Sequence, residues 1–309
     1  MSTAVAPERH VDQHPGARAR RRFRRHRMAV AGLVVLALLA GLCVAAPLVE
    51  AMLGVDPDRA DLFARFGAPS AQHPLGTDEL GRDVLLRLLY GGRVSLAVGL
   101  AAALTAAVIG TAIGLLAGYF GGWLDSLLMR TTDSFISLPL LPLLIVLAAI
   151  DLEKAGVPEA IAQSPHVSLF RIVAIIAVVG WTTVARLVRG VTLSVRTREY
   201  VRAAVAQGAR PLRVIRVHVL PNVVSPIVVA TTLSVGQVIL LESVLSFLGL
   251  GIQPPVASWG NMLTNAQELI WSAPMLAVLP GLLIFLTVIA FNFVGDGLQD
   301  ALDPRSDPH

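Results

Sequence analysis

The segment REYVRAAVAQGARPLRVIRVHVLPN, Arg198 to Asn222, is polar, arginine-rich and punctuated by Gly208, Pro211 and Pro221. It lies between apolar runs at Val167 to Leu187 and Val223 to Phe247. Each run has the 17 to 25 residues, roughly, that a helix needs to cross hydrocarbon about 30 Å thick. A polar segment between two such runs is a loop between membrane spans. The whole chain has the same character: of 309 residues, 55% are hydrophobic and only 15% charged, against about a quarter charged in soluble proteins.

Further apolar runs at Met28 to Leu48, Val94 to Tyr119 and Pro274 to Val294 give five spans. A sixth is expected around Phe135 to Ile150, shorter and containing Pro139 and Pro142. The fold class is therefore an all-α integral membrane protein of about six transmembrane helices. RARRRFRRHR, Arg18 to Arg27, abuts the first run. That run exceeds the apolar core of a cleaved export signal, so an uncleaved first span is expected. The basic tail suits anionic membrane lipid rather than nucleic acid, because it sits directly against a span.

Cytoplasmic loops retain arginine and lysine. The tail is therefore expected inside, and six spans also place the loop after the fourth inside. With its approaches that loop holds Arg186, Arg189, Arg196, Arg198, Arg202, Arg210, Arg213 and Arg216. At roughly 2.5 to 3.5 kcal/mol each in mid-bilayer, they keep it in water. Both termini are then cytoplasmic. The expected organisation is a tail over 1–27, a first span over 28–48, an extracytoplasmic segment over 49–92, a five-helix core over 93–298 with a cytoplasmic loop at 191–222, and a C-terminal tail over 299–309.

Several chemistries find no support. The one lysine, Lys154, lies in DLEKAG, so no P-loop G-x-x-x-x-G-K-[ST] exists and the chain binds no nucleotide by that route. Cys43 stands alone, which excludes an intrachain disulfide and leaves packing as its role. The seven histidines have no metal-binding pattern. No cofactor and no metal are expected on this chain.

The outer segments carry HPLGTDELGRDVLLRLLYGGRVSL, His73 to Leu96, and GLGIQPPVASWGNMLTNAQELIWSA, Gly249 to Ala273. In the first, Thr77 or Asp78 is placed to cap the following helix, and Asp83 with Arg87 forms an i, i+4 pair. An acid–base site at His73, Asp78, Glu79 and Asp83 is the competing reading. In the second, Trp259 and Trp271 stand where interfacial aromatics belong. Glu242 lies inside a span and has two readings: a functional intramembrane carboxylate on a substrate path, or a group bonding a neighbouring helix. Asn292 has the same two readings.

Within the loop, Val201, Ala204 and Val205 recur at helical spacing, Glu199 and Arg202 are three apart, and Gly208 is a helix terminator. Pro211 starts a second helix, in which Leu212, Ile215 and Val219 share a face before Leu220 and Pro221 lead into the next span. Two short helices joined by Gly208, with Ala203 and Ala204 allowing close approach, form a compact docking knob.

This segment resembles the EAA signature of ABC importer permeases: E-A-A, three residues, Gly, nine residues, I-x-L-P. Ala203, Ala204, Gly208, Leu220 and Pro221 match; Arg202 stands in place of Glu and His218 in place of Ile. HPLGTDELGRDVLLRLLYGGRVSL, LSFLGLGIQPPVASWGNML (Leu245 to Leu263) and FNFVGDGLQDALDPR (Phe291 to Arg305) are similar to the C-type permease subunit of dipeptide and oligopeptide importers. The resemblance implies a type I importer permease fold in a bacterial cytoplasmic membrane, non-enzymatic, forming half of a pore. It implies a B-type permease partner, two cytoplasmic ATPases that use ATP and Mg2+, and an extracytoplasmic substrate-binding protein. Relatives of this family also carry nickel and glutathione. ATPase coupling would fall to Glu199, Arg202, Ala203, Ala204, Gly208, Leu212, His218, Leu220 and Pro221. In the family the Glu of E-A-A commonly pairs with a basic residue of the ATPase; here Glu199, one turn earlier, is the carboxylate on offer. Asp78, Arg82 and Trp259 are candidates for binding-protein contact, Glu242 and Asn292 for the substrate path. A secondary transporter or a membrane enzyme are the remaining classes; the first requires transport by the chain alone, the second turnover that depends on Asp78.

Overall fold

A computed structural model describes residues 15–302 apart from 155 and 163. Residues 1–14 of the basic tail and 303–309 of the C-terminal tail lie outside the described residues. The architecture is helical throughout, and the elements are, in order, α1 (Pro15–Arg25), α2 (Arg27–Val44), α3 (Ala46–Leu53), α4 (Val84–Phe120), α5 (Gly122–Ser137), α6 (Leu140–Ala149), α7 (Glu159–Ala162), α8 (Pro165–Arg196), α9 (Glu199–Ala206), α10 (Pro211–Val214), α11 (Leu220–Phe247), α12 (Ala266–Leu269) and α13 (Met275–Leu302).

Among the described residues, five helical runs are long and apolar enough to cross a membrane: α2, α4, α8, the run from α10 through α11, and α13. The stretch expected as a sixth span, Phe135 to Ile150, is interrupted at its first proline. α5 ends at Ser137 and α6 begins at Leu140, the two bent by 89°. Proline disfavours helical geometry at the residue before it, and Leu138, ahead of Pro139, is accordingly extended with ψ 138°. α6 alone, ten residues or about 15 Å, is too short to cross. Only the bent pair together makes a sixth span.

α4 starts ten residues ahead of the expected Val94. Its 37 residues make about 55 Å of helix, so it projects well past the hydrocarbon. Its first turns carry Arg87, Tyr90 and Arg93 among leucines, and these polar side chains fold into a cap of polar contacts. Asp83 is the N-cap, accepting from Leu86 N at 2.7 Å and bonding His73 Nδ1 at 3.0 Å.

The central packing is α4 against α8. Gly110, Gly114 and Gly118, one turn apart, let the helices close: a Cβ on Gly114 would lie 2.6 Å from Ala185 O, and one on Gly118 2.7 Å from Thr192 Cβ. Around this seam, Ile172, Ile176, Ile239, Leu245 and Trp259 form the main core. At the α4 C-terminus, Arg196 Nη1 donates to Tyr119 O at 2.8 Å, placing a cation on unpaired helix carbonyls. The segment ahead of α4 therefore lies at the opposite end of the bundle from α9.

Candidate functional site: an exposed helical knob

α8 closes at Thr197, and α9 rises from Arg198. Gly208 ends it by the expected device. Its φ is +80°, Gly208 N bonds Val205 O at 2.9 Å and Ala209 N bonds Ala204 O at 3.1 Å. These are the two crossed bonds of a Schellman cap, with glycine at the left-handed position.

The second half differs from the expectation of a separate helix. Pro211 does start α10, but α10 passes through one π turn, Ile215–Val219, straight into α11. Leu220 N reaches back to Ile215 O across that turn. Pro221 has no N–H to donate, and its ring would crowd a carbonyl of the preceding α turn. The wider turn just before it relieves both conflicts.

Burial divides the knob into two faces. Val201, Val214, Ile215 and Val219 point inward onto Leu115, Val188, Val195 and Val223, one apolar cluster shared by α4, α8, α9 and α11. Leu212, expected on this face, is 58% exposed; the inward residue is Val214, fully buried. Outward lie Glu199, Tyr200, Arg202, Ala203, Val205 and Leu212, while Ala204 is half-buried. Glu199 and Arg202 form no ion pair with described residues. His218, where the signature has Ile, is half-buried with its ring 6.2 Å from that of Tyr200, so it ties the π turn to α9. Leu220 and Pro221 enter α11. The outer surface thus mixes apolar and small residues with a rim of arginines. The inner surface is welded to two long helices.

The far end of the bundle is built as a clasp. Asp78 is buried and accepts from Leu80 N, Arg82 N and Arg82 Nε at 2.8 to 2.9 Å. The expected Asp83–Arg87 pair does not form: Asp83 is occupied as N-cap, and Arg87 instead reaches Asp58 at 3.3 Å and Asp78 at 3.6 Å. Nor do Thr77 or Asp78 cap the helix; Thr77 donates to Ala64 O and receives Gly67 N. Trp259, expected at an interface and as a contact for another protein, is fully buried, with Nε1 donating to Leu88 O at 2.9 Å. It fills the space left by Gly92, where a Cβ would lie 2.6 Å from the indole. Trp271, by contrast, is 92% exposed. Asp78 and Trp259 therefore hold the clasp together from inside. Arg82, half-buried, is spent on Asp78.

Glu242 is completely buried, its carboxylate accepting from Ser246 Oγ at 2.7 Å and Ser95 Oγ at 3.3 Å. Ser95 in turn receives Trp259 N at 3.1 Å. Glu242 therefore joins α11, α4 and the loop ahead of α12; Asn292 lies exposed on α13. Glu242→Gln keeps one acceptor oxygen and offers an amide N–H to the other hydroxyl, which can rotate to accept it, and is expected to leave membrane protein level and uptake near wild type. Glu242→Leu strands both hydroxyls at about 1 to 3 kcal/mol each, which a lowered melting temperature in detergent would register; an equal drop in Glu242→Gln would refute the hydrogen-bonding role.

Some contacts carried no sequence signal. Arg189 grips Asp125 with two bonds, Nε to Oδ1 at 2.5 Å and Nη2 to Oδ2 at 2.7 Å, joining α8 to α5 across 64 positions. The Gly110, Gly114, Gly118 stripe did carry one, the small-xxx-small spacing of packed membrane helices.

Residues 110–308 match the family described as binding-protein-dependent transport system inner membrane component, and residues 14–69 match the N-terminal transmembrane domain of oligopeptide transport permease C. The chain belongs to the binding-protein-dependent inner-membrane permease family. It is 38% identical over 98% of its length to the dipeptide transport system permease protein DppC of Alkalihalophilus pseudofirmus, covering 91% of that protein. It is 42% identical to the Bacillus subtilis DppC, over 92% of this chain and 84% of that one. The oligopeptide transport system permease protein OppC of Escherichia coli K12 is 41% identical, over 93% and 90% respectively. The chain is thus a multi-pass cytoplasmic-membrane subunit of an ABC importer, non-catalytic, working with separate ATPases and a substrate-binding protein.

Proposed function

We propose that this chain forms one half of a translocation pathway for dipeptides and short oligopeptides, paired with a B-type permease subunit. Two cytoplasmic ATPases, using ATP and Mg2+, move it through the α9 knob, and both of its termini are cytoplasmic. The observation that carries this reading is the two-faced construction of the knob. An exposed helix of eight residues, Glu199–Ala206, has Val201 locked into the apolar cluster shared by α8 and α11, so a push on its outer face cannot be absorbed locally. It tilts the helices that run to the clasp at the other end.

Coupling falls to Glu199, Arg202, Ala203 and Leu212 at the surface, with Gly208 setting the angle, Ala204 and His218 bracing it, and Leu220 and Pro221 at the root of α11. The peptide assignment follows the relatives' substrates and the chain's likeness to them along nearly its full length. In this reading the clasp, tied by Asp78, Arg82, Trp259 and Glu242, is the end that opens outward, and Asn292, exposed on α13, is left for the substrate path.

The test is uptake in a peptide-requiring host lacking its own peptide importers. Supplied with the genes of its cognate partners, the chain is expected to restore uptake of labelled tri-alanine, and its deletion to abolish it. Restoration of nickel or glutathione uptake without peptide uptake would move the substrate; transport by the purified chain alone would overturn the class.

A further inference from the structure

We infer that the cavity beside the outer turns of α4 is a receiving site for the charged ends of a short peptide; this rests on the peptide reading above. The cavity, about 670 Å³, lies in the usual range for small-molecule sites, roughly 300 to 1,000 Å³. It is bounded by α3 and the following turn, the first turns of α4, the start of α8 and the loop after α11.

Its lining is zwitterionic, and part of that charge is left over. Arg87 is committed to Asp58. Tyr90 donates its hydroxyl to one oxygen of Glu50, and the Arg93 guanidinium lies over the same ring, 5.5 Å from its centroid. The tyrosine therefore touches both a cation and an anion, and the two do not pair with each other. Arg93 makes no ion pair with a described residue. Glu50 retains a second carboxylate oxygen, and Asp56, held through Oδ1 by Asp58 N at 2.8 Å, retains Oδ2. Leu169 and Val256 add an apolar part to the same lining.

One leftover guanidinium and two leftover carboxylates in a cavity that also has an apolar wall match a molecule with one carboxylate, one ammonium and apolar side chains. A peptide with free termini is that molecule. Arg93 would take the C-terminal carboxylate in the two-pronged manner of guanidinium groups, and Glu50 with Asp56 the ammonium. A phosphoethanolamine headgroup shares the two charges but not the apolar side chains, and the Asp56 side of the cavity belongs to the polar segment beyond the apolar run.

The experiment uses the chain assembled with its cognate permease and ATPases, without the binding protein, in nanodiscs of phosphatidylcholine and phosphatidylglycerol. The probe is radiolabelled tri-alanine. Arg93 is exposed, so Arg93→Gln is expected to assemble, to weaken tri-alanine binding about tenfold or more, and to leave the already weak binding of tri-alanine amide unchanged. Arg93→Lys is expected to recover part of the loss, and Glu50→Gln to show the mirror pattern against N-acetyl tri-alanine.

Equal binding of tri-alanine by wild type and Arg93→Gln, equal binding of the free and amidated peptides by wild type, or no saturable binding by wild type, each overturns the inference. So does loss of tri-alanine binding when phosphatidylethanolamine is added, which would give the cavity to lipid. With binding protein and ATP restored in proteoliposomes, peptide uptake that persists beside such a result leaves the function standing and removes only this site. Absence of uptake in wild type removes the function itself.

Discussion

Gly208→Arg is expected to bring uptake to background while the protein still reaches the membrane at close to its normal level. The reasoning starts at the backbone. At φ +80° a non-glycine residue in the left-handed region costs roughly 1 to 2 kcal/mol, enough to fray a helix of eight residues that has no side-chain N-cap bond. A Cβ at this position meets nothing within 4 Å, so the damage does not spread into the bundle. It falls on the angle between α9 and α10 and on the surface where an ATPase would sit, which an arginine side chain also obstructs. Two companions separate these effects. Gly208→Asn, which tolerates the left-handed region, is expected to keep most uptake. Gly208→Ala, strained but small, should fall between. Normal uptake by Gly208→Arg at normal protein level would refute the coupling role of α9.

The knob was legible because its determinants are local. A left-handed glycine, a proline at a helix start and arginines that refuse the bilayer all act within a few residues, so spacing alone fixes Gly208, Pro211 and the cytoplasmic placement expected for the loop. What spacing missed was the facing of the side chains. Leu212 and Val214 are equally apolar, and which of them is buried is decided by Leu115 on α4 and Val188 and Val195 on α8, which form one cluster with Val214. The far end was less legible for a related reason. Trp259, Asp78 and Glu242 look like surface, contact and pathway residues when judged by residue type at a membrane boundary. For Trp259 and Glu242 the partners, Leu88 and Ser95, are set by how α4 meets α11 and the loop after it, 171 and 147 positions apart, whereas Asp78 is buried by its own turn folding around it, through Leu80 N, Arg82 N and Arg82 Nε. Arg87 shows the same limit within one turn: the i, i+4 rule pointed to Asp83, but Asp83 was already engaged at the helix start.

The second large effect belongs to the α4–α8 seam, where chemistry in the sequence and geometry in the structure agree. Gly114→Leu is expected to remove most of the folded protein from the membrane. A Cβ there would lie 2.6 Å from Ala185 O and 2.7 Å from Val188 Cβ, both on the facing helix, and one of them backbone that no rotamer change can move. The helices must separate, and the loss extends to the apolar cluster in which Leu115 meets Val184 and Val188. Overpacking alone costs about 1 to 3 kcal/mol, and lost close packing adds to it, against a total stability of roughly 5 to 15 kcal/mol. Gly190, on α8 itself, is the internal comparison. A Cβ there meets nothing within 4 Å, so Gly190→Ala should match or slightly exceed wild type in folded yield, helix propensity favouring alanine by about 1 kcal/mol. The readout is the monodisperse fraction after detergent extraction, together with its melting temperature. If Gly114→Leu extracts and melts like Gly190→Ala, the close crossing of α4 on α8 is wrong. The path from knob to clasp would then need another route, because Val188 and Leu115 are the residues through which Val201 grips both helices.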